Sequence, residues 1–192
     1  MESIADFLFE VGMLSKTPRS GYQFLGSGRE SVAEHILRTV FIGYALCKLN
    51  PSLNELRVLK MCILHDLPEA RTGDMNYVNK KYVEVNEAKA VRELTEGLFF
   101  GGDIRQAIDE FNARETPEAK TARDADQIAL ILQLKEYGDV GNKYSDEWTR
   151  YALQRLATEE GKKLADRIIQ TDSSHWWFKD KSDWWVNGSN RA

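Results

Sequence analysis

The sequence predicts an all-α protein, a single-domain bundle of about six or seven helices. Apolar residues recur at helical spacing through most of the chain, and no stretch shows a convincing strand alternation. Helix-start signals support this: Ser31-Val32-Ala33-Glu34 forms a capping box, and Thr116 precedes Pro117 at a first helical position. The length of 192 residues and the hydrophobic content of 42% suit one globular domain with a real core.

The helical segments follow from this spacing in chain order. Seven are predicted, at residues 3–14, 32–49, 53–66, 83–98, 104–114, 117–137 and 146–171. Residues 16–29 are expected to form a loop, because Pro18 and three glycines break the pattern there. The third helix is almost wholly apolar in its second half, which predicts a central position in the bundle. Asp103 is expected to cap the fifth helix.

An aromatic-rich C-terminal tail, residues 172–192, is predicted to follow the helical domain of residues 1–171. The tail contains five large aromatic rings, at Trp176, Trp177, Phe178, Trp184 and Trp185. Rings of this size are expected to bury their apolar area rather than remain in water. We therefore expect the tail to pack on the body or on a partner subunit, and the second arrangement would make a homodimer.

Composition excludes several classes of partner. A net charge of −4 argues against binding to a nucleic-acid polymer, where a clustered basic surface is expected. No apolar run approaches the roughly 20 residues that cross a bilayer, and the N-terminus lacks the features of a secretory signal. Cys47 and Cys62 fall in apolar helical patterns and are expected to be buried and reduced. These observations predict a cytoplasmic protein without a membrane partner.

Several polar residues fit poorly as structure and indicate a metal site. His65 and Asp66 close the apolar third helix, where an unpaired buried carboxylate would cost several kcal/mol. A divalent cation removes that cost, because imidazole and carboxylate both bind it. His35 lies in the first turn of the second helix, and Asp126 lies near the buried side of the sixth. Each has an ordinary alternative: His35 as a core residue, and Asp126 paired with Arg123.

The set is more informative than its members. The chain has only three histidines, and two of them, His35 and His65, lie near helix ends with acids beside them. Two imidazoles and two carboxylates form a mixed nitrogen and oxygen site suited to Mn, Fe, Co, Ni or Zn. Two more acids, Glu69 and Asp74, follow the His-Asp pair closely. His175 falls in the aromatic tail and is expected to be structural.

The order of these residues resembles the HD-domain metallophosphohydrolase superfamily. Five strings are similar to its 5′-deoxynucleotidase branch: Pro18-Arg19-Ser20-Gly21, Glu30-Ser31-Val32-Ala33-Glu34-His35, His65-Asp66-Leu67-Pro68-Glu69, Thr72-Gly73-Asp74 and Ala125-Asp126-Gln127. The likeness spans roughly residues 10–140 and leaves out the aromatic tail. It implies the HD-domain fold and a homodimer.

The resemblance also implies a role for each motif residue. The implied ligands of one divalent ion (Co, Mn, Zn, Fe, Ni or Mg) are His35, His65, Asp66 and Asp126. Asp124 is the competing choice for the last ligand, and the match to Ala-Asp-Gln favours Asp126. Glu69 and Asp74 would be the catalytic acids, and Arg19 would hold the substrate phosphate.

Three functions fit this reading. The first is a divalent-metal-dependent 5′-nucleotidase that removes phosphate from deoxynucleoside 5′-monophosphates. The second is an HD phosphohydrolase acting on a triphosphate, cyclic or signalling nucleotide. The third is a helical binding module in which the metal is only structural. The chemistry of the first follows from the residues, because a divalent ion stabilises phosphoryl charge and lowers the pKa of bound water. Which of Glu69 and Asp74 is the acid and which the base stays open.

Overall fold

The computed structural model describes residues 1–178, and this part of the chain contains no β-strand, only an isolated bridge between Pro18 and Ser31. Its α-helices are α1 (Glu2–Val11), α2 (Tyr22–Leu25), α3 (Val32–Leu49), α4 (Glu55–Leu64), α5 (Glu69–Thr72), α6 (Glu87–Leu94), α7 (Gly101–Ala113), α8 (Pro117–Asp139), α9 (Ser145–Leu153), α10 (Glu159–Ile169) and α11 (His175–Phe178). Two 3₁₀ helices, Gly12–Ser15 and Asn79–Lys81, complete the described elements. The all-α prediction is confirmed.

The number of helices is higher than the six or seven expected. The segment predicted as one helix over residues 146–171 is divided into α9 and α10. Three helices of only four residues, α2, α5 and α11, lie in segments predicted as loop or tail. Short helices of this length carry no periodic signal in the sequence, so apolar spacing could not have predicted them.

Of the predicted caps at Ser31 and Asp103, the first forms and the second does not. Ser31 Oγ accepts a hydrogen bond from Glu34 N at 3.2 Å, and the Glu34 carboxylate accepts one from Ser31 N at 2.6 Å, so the predicted capping box forms. The predicted cap at Asp103 is wrong, because α7 already begins at Gly101. The Asp103 side chain instead pairs with Lys60 of α4, with 2.6 Å between Oδ1 and Nζ.

The central helix of the fold is α8, which packs against α3, α4, α7, α9 and α10. Six consecutive residues, 124–129, are buried, as happens when a helix is enclosed on all sides. The third predicted helix was expected to be central, and it does contribute Val58, Met61 and Cys62 to the main core cluster. That helix, α4, packs against α3, α7 and α8, but it leaves Ile63 half exposed.

The helices α3 and α4 lie in close contact at Gly43. A Cβ atom at this position would lie 2.7 Å from Cys62 Sγ and 3.5 Å from Val58 Cγ1. Glycine therefore lets the two helices come together at a distance that any side chain would prevent. Both cysteines are buried and free of disulfide bonds, as predicted. Since α3 carries His35 and α4 ends before His65, this contact also positions the two histidines.

The first residues of the predicted tail are the last that the structure describes. Ser173 N donates to Asp139 Oδ2 at 2.8 Å, which attaches the start of the tail to the end of α8. Trp176 in α11 is 81% exposed. Trp184 and Trp185 lie outside the described residues, so the packing of the tail stays a prediction. Within residues 1–178, every helix is too short or too polar to span a bilayer.

We expect Gly43→Ala to destabilise the fold by about 1–3 kcal/mol, the usual cost of overpacking a core. This effect opposes helix propensity, which favours alanine by about 1 kcal/mol. Cys62→Ala should remove most of the penalty in the double variant, because Sγ is the atom that clashes. Urea unfolding of the wild type, both single variants and the double variant measures this coupling.

The matched control is Gly12→Ala. Among the described residues, no atom lies within 4 Å of a Cβ built at position 12. A similar loss of stability in Gly12→Ala and Gly43→Ala would contradict the explanation by close helix contact.

Candidate metal and phosphate site

Three helices bring the predicted metal ligands together. His35 lies in the first turn of α3, His65 is the C-cap of α4, and Asp126 lies in the middle of α8. His35 Nε2 is 3.1 Å from Asp126 Oδ1, and the two imidazole ring centroids are 5.6 Å apart. The candidate ligand atoms of these three buried residues all lie within 4.8 Å of one another. Residues far apart in the sequence therefore converge on one point.

Asp66 borders this group on its more exposed side. It is not one of the three residues whose ligand atoms mutually approach within 4.8 Å. Its Oδ2 nevertheless lies 3.2 Å from His65 Nε2 and 3.6 Å from His35 Nε2. The same oxygen accepts a hydrogen bond from Arg19 Nη1 at 3.2 Å. Asp66 therefore connects the histidines to the predicted phosphate-binding arginine.

The protonation pattern of His65 fits a bound cation. Its Nδ1 lies 3.0 Å from the carbonyl oxygen of Cys62, which can only accept, so Nδ1 donates to it and Nε2 is the ring nitrogen that faces the acids. This Nε2 atom is buried, and no described residue forms a hydrogen bond with it. Donor atoms about 2 Å from a common ion lie about 3 Å apart when adjacent, close to the separation seen between His35 and Asp126. His35, His65, Asp66 and Asp126 could thus hold one divalent ion.

The electrostatics of the group also favour a cation. Burial alone would raise the pKa of Asp126, but the hydrogen bond from His35 and the charges of His35, His65 and Arg123 hold that pKa well below its usual range. Burial is likewise outweighed at Asp66, where His65, His35 and Arg19 lower the pKa of the carboxyl. Burial would lower the pKa of His65, yet Asp66 and Asp126 raise it. Asp66 and Asp126 are therefore kept ionised.

Glu69 begins α5, three residues after Asp66. Its Oε2 atom is buried without a hydrogen-bond partner in the described part of the chain. Burial and the carboxylates of Asp66 and Asp74 raise the pKa of Glu69 to about 9. A half-buried acid that has a buried, unpartnered oxygen and a strongly displaced pKa is typical of a functional group rather than a structural one.

Arg19 and Asp74 lie together at the same site. Asp74 Oδ2 accepts a hydrogen bond from Ser20 N at 2.8 Å and lies 3.9 Å from Arg19 Nε. The segment that carries Arg19 is fixed to the start of α3, because Arg19 N donates to Glu30 O at 2.9 Å. Backbone pairing therefore holds this loop in place, and it directs the guanidinium toward the acids.

A cavity of about 390 Å³ opens beside the candidate ligands. Five predicted site residues line it, Arg19, Asp66, Glu69, Asp74 and Asp126. The other two, His35 and His65, are buried, with 1% and 7% of their surface exposed. All seven predicted site residues thus lie in one region of the described structure.

Sequence reasoning missed other side chains that line the cavity. They include Tyr22, Asn76, Tyr77, Lys80, Gln127, Trp148 and Arg155. Tyr22 follows the first recognised string directly, and Gln127 ends the last one, so both could have been considered from their positions. Arg155 lies in a stretch that the apolar pattern predicts as continuous helix, so no signal distinguished it from a solvated arginine.

Asp124, the competing metal ligand, has a structural role instead. It is completely buried, and its Oδ1 accepts a hydrogen bond from Ala157 N at 2.8 Å. Its Oδ2 accepts from both Thr158 N at 2.8 Å and Thr158 Oγ1 at 2.6 Å. These bonds attach the start of α10 to α8. The ordinary alternative for Asp126 is also present, because Arg123 Nη1 lies 3.7 Å from its Oδ2.

We expect Asp124→Ala to destabilise the protein by about 3 kcal/mol, because two backbone N–H groups and a hydroxyl lose a charged acceptor. Metal content after loading should remain that of the wild type. Urea unfolding and elemental analysis measure the two properties separately. Asp166→Ala, which removes an exposed acid on α10, is the control and should change stability by less than about 0.5 kcal/mol. Loss of metal with unchanged stability would contradict the structural role of Asp124.

Comparison with known proteins adds an independent line of evidence. A family model described as "HD domain" matches residues 11–169. The chain is 32% identical over 145 residues to 5′-deoxynucleotidase hdd1 of Schizosaccharomyces pombe, an alignment that covers 70% of this chain and 72% of the relative. It is 30% identical over 149 residues to human 5′-deoxynucleotidase HDDC2, covering 73% of this chain and 71% of the relative. A solved structure of a conserved hypothetical protein from Pyrococcus furiosus is similar with a TM-score of 0.76 and 26% identity, covering 87% and 99% of the two chains.

Proposed function

The chain belongs to the HD-domain family, and from this premise we propose that it is a divalent-metal-dependent 5′-nucleotidase that removes phosphate from deoxynucleoside 5′-monophosphates. The observation that carries the proposal is the cluster of His35, His65 and Asp126 beside a cavity that Arg19 and Asp126 line. The names of the yeast and human relatives support the choice of substrate. A volume of about 390 Å³ suits a small molecule rather than a polymer.

The proposed metal ligands are His35, His65, Asp66 and Asp126. When bound, the ion would supply charge stabilisation to the phosphoryl oxygens and would lower the pKa of a water molecule. The protein contributes a fixed arrangement of donors. His65 is oriented by its bond to the Cys62 carbonyl, and His35 is enclosed by α3 and α8 with 1% of its surface exposed.

Arg19 is the proposed phosphate contact. Its guanidinium is held between Asp66 and Asp74, with N–O distances of 3.2 and 3.9 Å. A planar guanidinium can donate two parallel hydrogen bonds to a phosphate, which fixes both the position and the orientation of the group.

Glu69 and Asp74 are the proposed catalytic acids. Hydrolysis forms a bond from a water oxygen to phosphorus and breaks the bond from phosphorus to the 5′ oxygen, which takes up a proton. One acid accepts a proton from the water, and the other donates a proton to the leaving oxygen. The displaced pKa of Glu69 and the hydrogen bond from Ser20 N to Asp74 show that the two acids occupy different environments.

Assembly and location form a further part of the proposal. We propose a cytoplasmic homodimer. Two buried, reduced thiols fit a reducing compartment. A stripe of exposed apolar side chains on α3, Leu37, Phe41 and Tyr44, and the exposed Trp176 supply apolar surface that a second subunit could cover. Light scattering of the purified full chain tests the assembly.

The wild type is expected to release inorganic phosphate from deoxynucleoside 5′-monophosphates when Co²⁺ or Mn²⁺ is added. Glu69→Gln should lower kcat by about 100-fold or more, because it keeps the shape but removes proton transfer. Elemental analysis of the same sample should show unchanged metal content. Glu96→Gln, an exposed acid of similar chemistry, should retain full activity.

Two results would overturn this proposal. One is inactivity of the wild type against every nucleoside monophosphate with each metal. The other is a higher kcat/KM for releasing pyrophosphate or triphosphate from a nucleoside triphosphate than for releasing phosphate from a monophosphate. That result would indicate an HD phosphohydrolase of different specificity.

Arg19→Met is expected to raise KM for deoxynucleoside monophosphates by about 10-fold or more, since it removes a charged bidentate contact. Arg19→Lys should be intermediate, because it keeps the charge and loses the fork. Both variants are compared at saturating metal, because Arg19 also contacts Asp66. An unchanged KM for Arg19→Met would rule out this residue as the phosphate contact.

A further inference from the structure

A chain of hydrogen bonds connects the turn after α9 to Asp126. Arg155, which lies in that turn, donates from Nη1 to Gln127 Oε1 at 3.2 Å. Gln127 Nε2 in turn donates to Asp126 Oδ2 at 2.9 Å. The other carboxylate oxygen, Asp126 Oδ1, lies 3.1 Å from His35 Nε2 and 4.0 Å from His65 Nε2. The two oxygens of Asp126 thus have different partners.

Arg155 and Asp126 together fix which way the Gln127 amide points, because each can bond to only one end of it. A guanidinium has five N–H donors and no acceptor, so its partner on Gln127 must be the carbonyl oxygen. The amide NH₂ must then face the opposite direction, toward Asp126, whose carboxylate can only accept. Rotating the amide by 180° would place NH₂ against the guanidinium and oxygen against the carboxylate. Both contacts would be repulsive, and Gln127 is 9% exposed, so water could replace few of the lost bonds.

The orientation of Gln127 has a direct consequence at the site. With Oδ2 held by the amide, Oδ1 is the oxygen of Asp126 directed at the histidines. Arg123 contributes charge on the same side, since its Nη1 is 3.7 Å from Oδ2, but that distance is beyond a hydrogen bond. We infer that Arg155 is a positioning residue that acts through Gln127 to present one oxygen of Asp126 to the metal. This inference rests on the proposed function of the site.

Arg155 has a second attachment that holds its own position. Its guanidinium carbon lies 5.5 Å from the centroid of the Tyr77 ring, and Tyr77 belongs to the segment that follows Asp74. Both side chains also line the cavity. The competing role for Arg155 is therefore direct contact with substrate, and the experiment must separate positioning from contact.

The test measures binding of Mn²⁺ and Co²⁺ alone to the metal-free protein, with the visible absorption spectrum of the Co²⁺ form as a second readout. Arg155→Met is expected to weaken the affinity for both ions by about 10-fold, the lower end of the range for outer-shell contacts. The Co²⁺ spectrum should change, because the geometry at Asp126 is altered. Arg155→Lys keeps a donor for Gln127 Oε1 and should recover most of the affinity.

The Gln127→Met variant tests whether Arg155 acts on Asp126 through Gln127. This variant keeps the size of the side chain but removes both hydrogen bonds of the amide, so it should also weaken metal binding. Arg155→Met should then have no further effect on metal affinity, because its route to Asp126 is already broken. Arg167→Met, an exposed arginine on α10 outside the cavity lining, is the control and should bind metal as the wild type does.

Each outcome decides between roles. A raised KM in Arg155→Met with wild-type metal affinity would overturn the inference and make Arg155 a substrate contact. A full effect of Arg155→Met in the Gln127→Met background would overturn it as well. If the wild type itself binds neither ion, the proposed function is wrong and the inference falls with it. Urea unfolding of the metal-free variants separates any loss of affinity from a loss of fold.

Discussion

Negative charge enclosed by α3, α4 and α8 constrains much of the molecule. Asp126 is buried in the middle of α8, where an unpaired carboxylate would strongly oppose folding. His35 from α3 and His65 from the end of α4 lie against it, and these contacts require close packing of three helices. The glycine at position 43 permits the α3–α4 approach. The same close packing therefore serves both the fold and the site, because the charged groups meet only when the three helices pack this closely.

The central helix α8 serves both purposes through two acids that are two residues apart. Successive residues turn by about 100° around a helix, so Asp124 and Asp126 face nearly opposite directions. Asp124 accepts hydrogen bonds from residues 157 and 158 and attaches α10. Asp126 faces the histidines and the cavity. This division is possible because α8 is enclosed on all sides at these residues, so both acids face other parts of the protein rather than solvent.

Several helix ends that depend on neighbouring residues were predicted correctly from the sequence. The capping box and the apolar stripe predicted α3 with both ends correct, and Thr116-Pro117 predicted the start of α8. The break between α9 and α10 was missed, because it depends on hydrogen bonds that the distant Asp124 carboxylate accepts from the backbone as well as on the Thr158 cap. Gly101 lies outside the predicted helices, which end at residue 98 and resume at residue 104, yet it belongs to α7. A Cβ there would lie 2.5 Å from Thr95 O, so the glycine serves close packing rather than flexibility.

The buried part of the site could be predicted from the sequence, whereas several residues at the cavity edge could not. Deep residues such as His65 and Asp126 were predictable, because desolvation leaves a buried imidazole and carboxylate few explanations other than pairing or a cation. Side chains at the cavity edge, such as Tyr77 and Arg155, are polar or aromatic residues on turns, where the sequence alone permits many positions. Their role depends on which turn the fold places beside the ligands. The chemistry of the buried group can thus be inferred from residue types, whereas substrate selection depends on the edge and requires the three-dimensional arrangement.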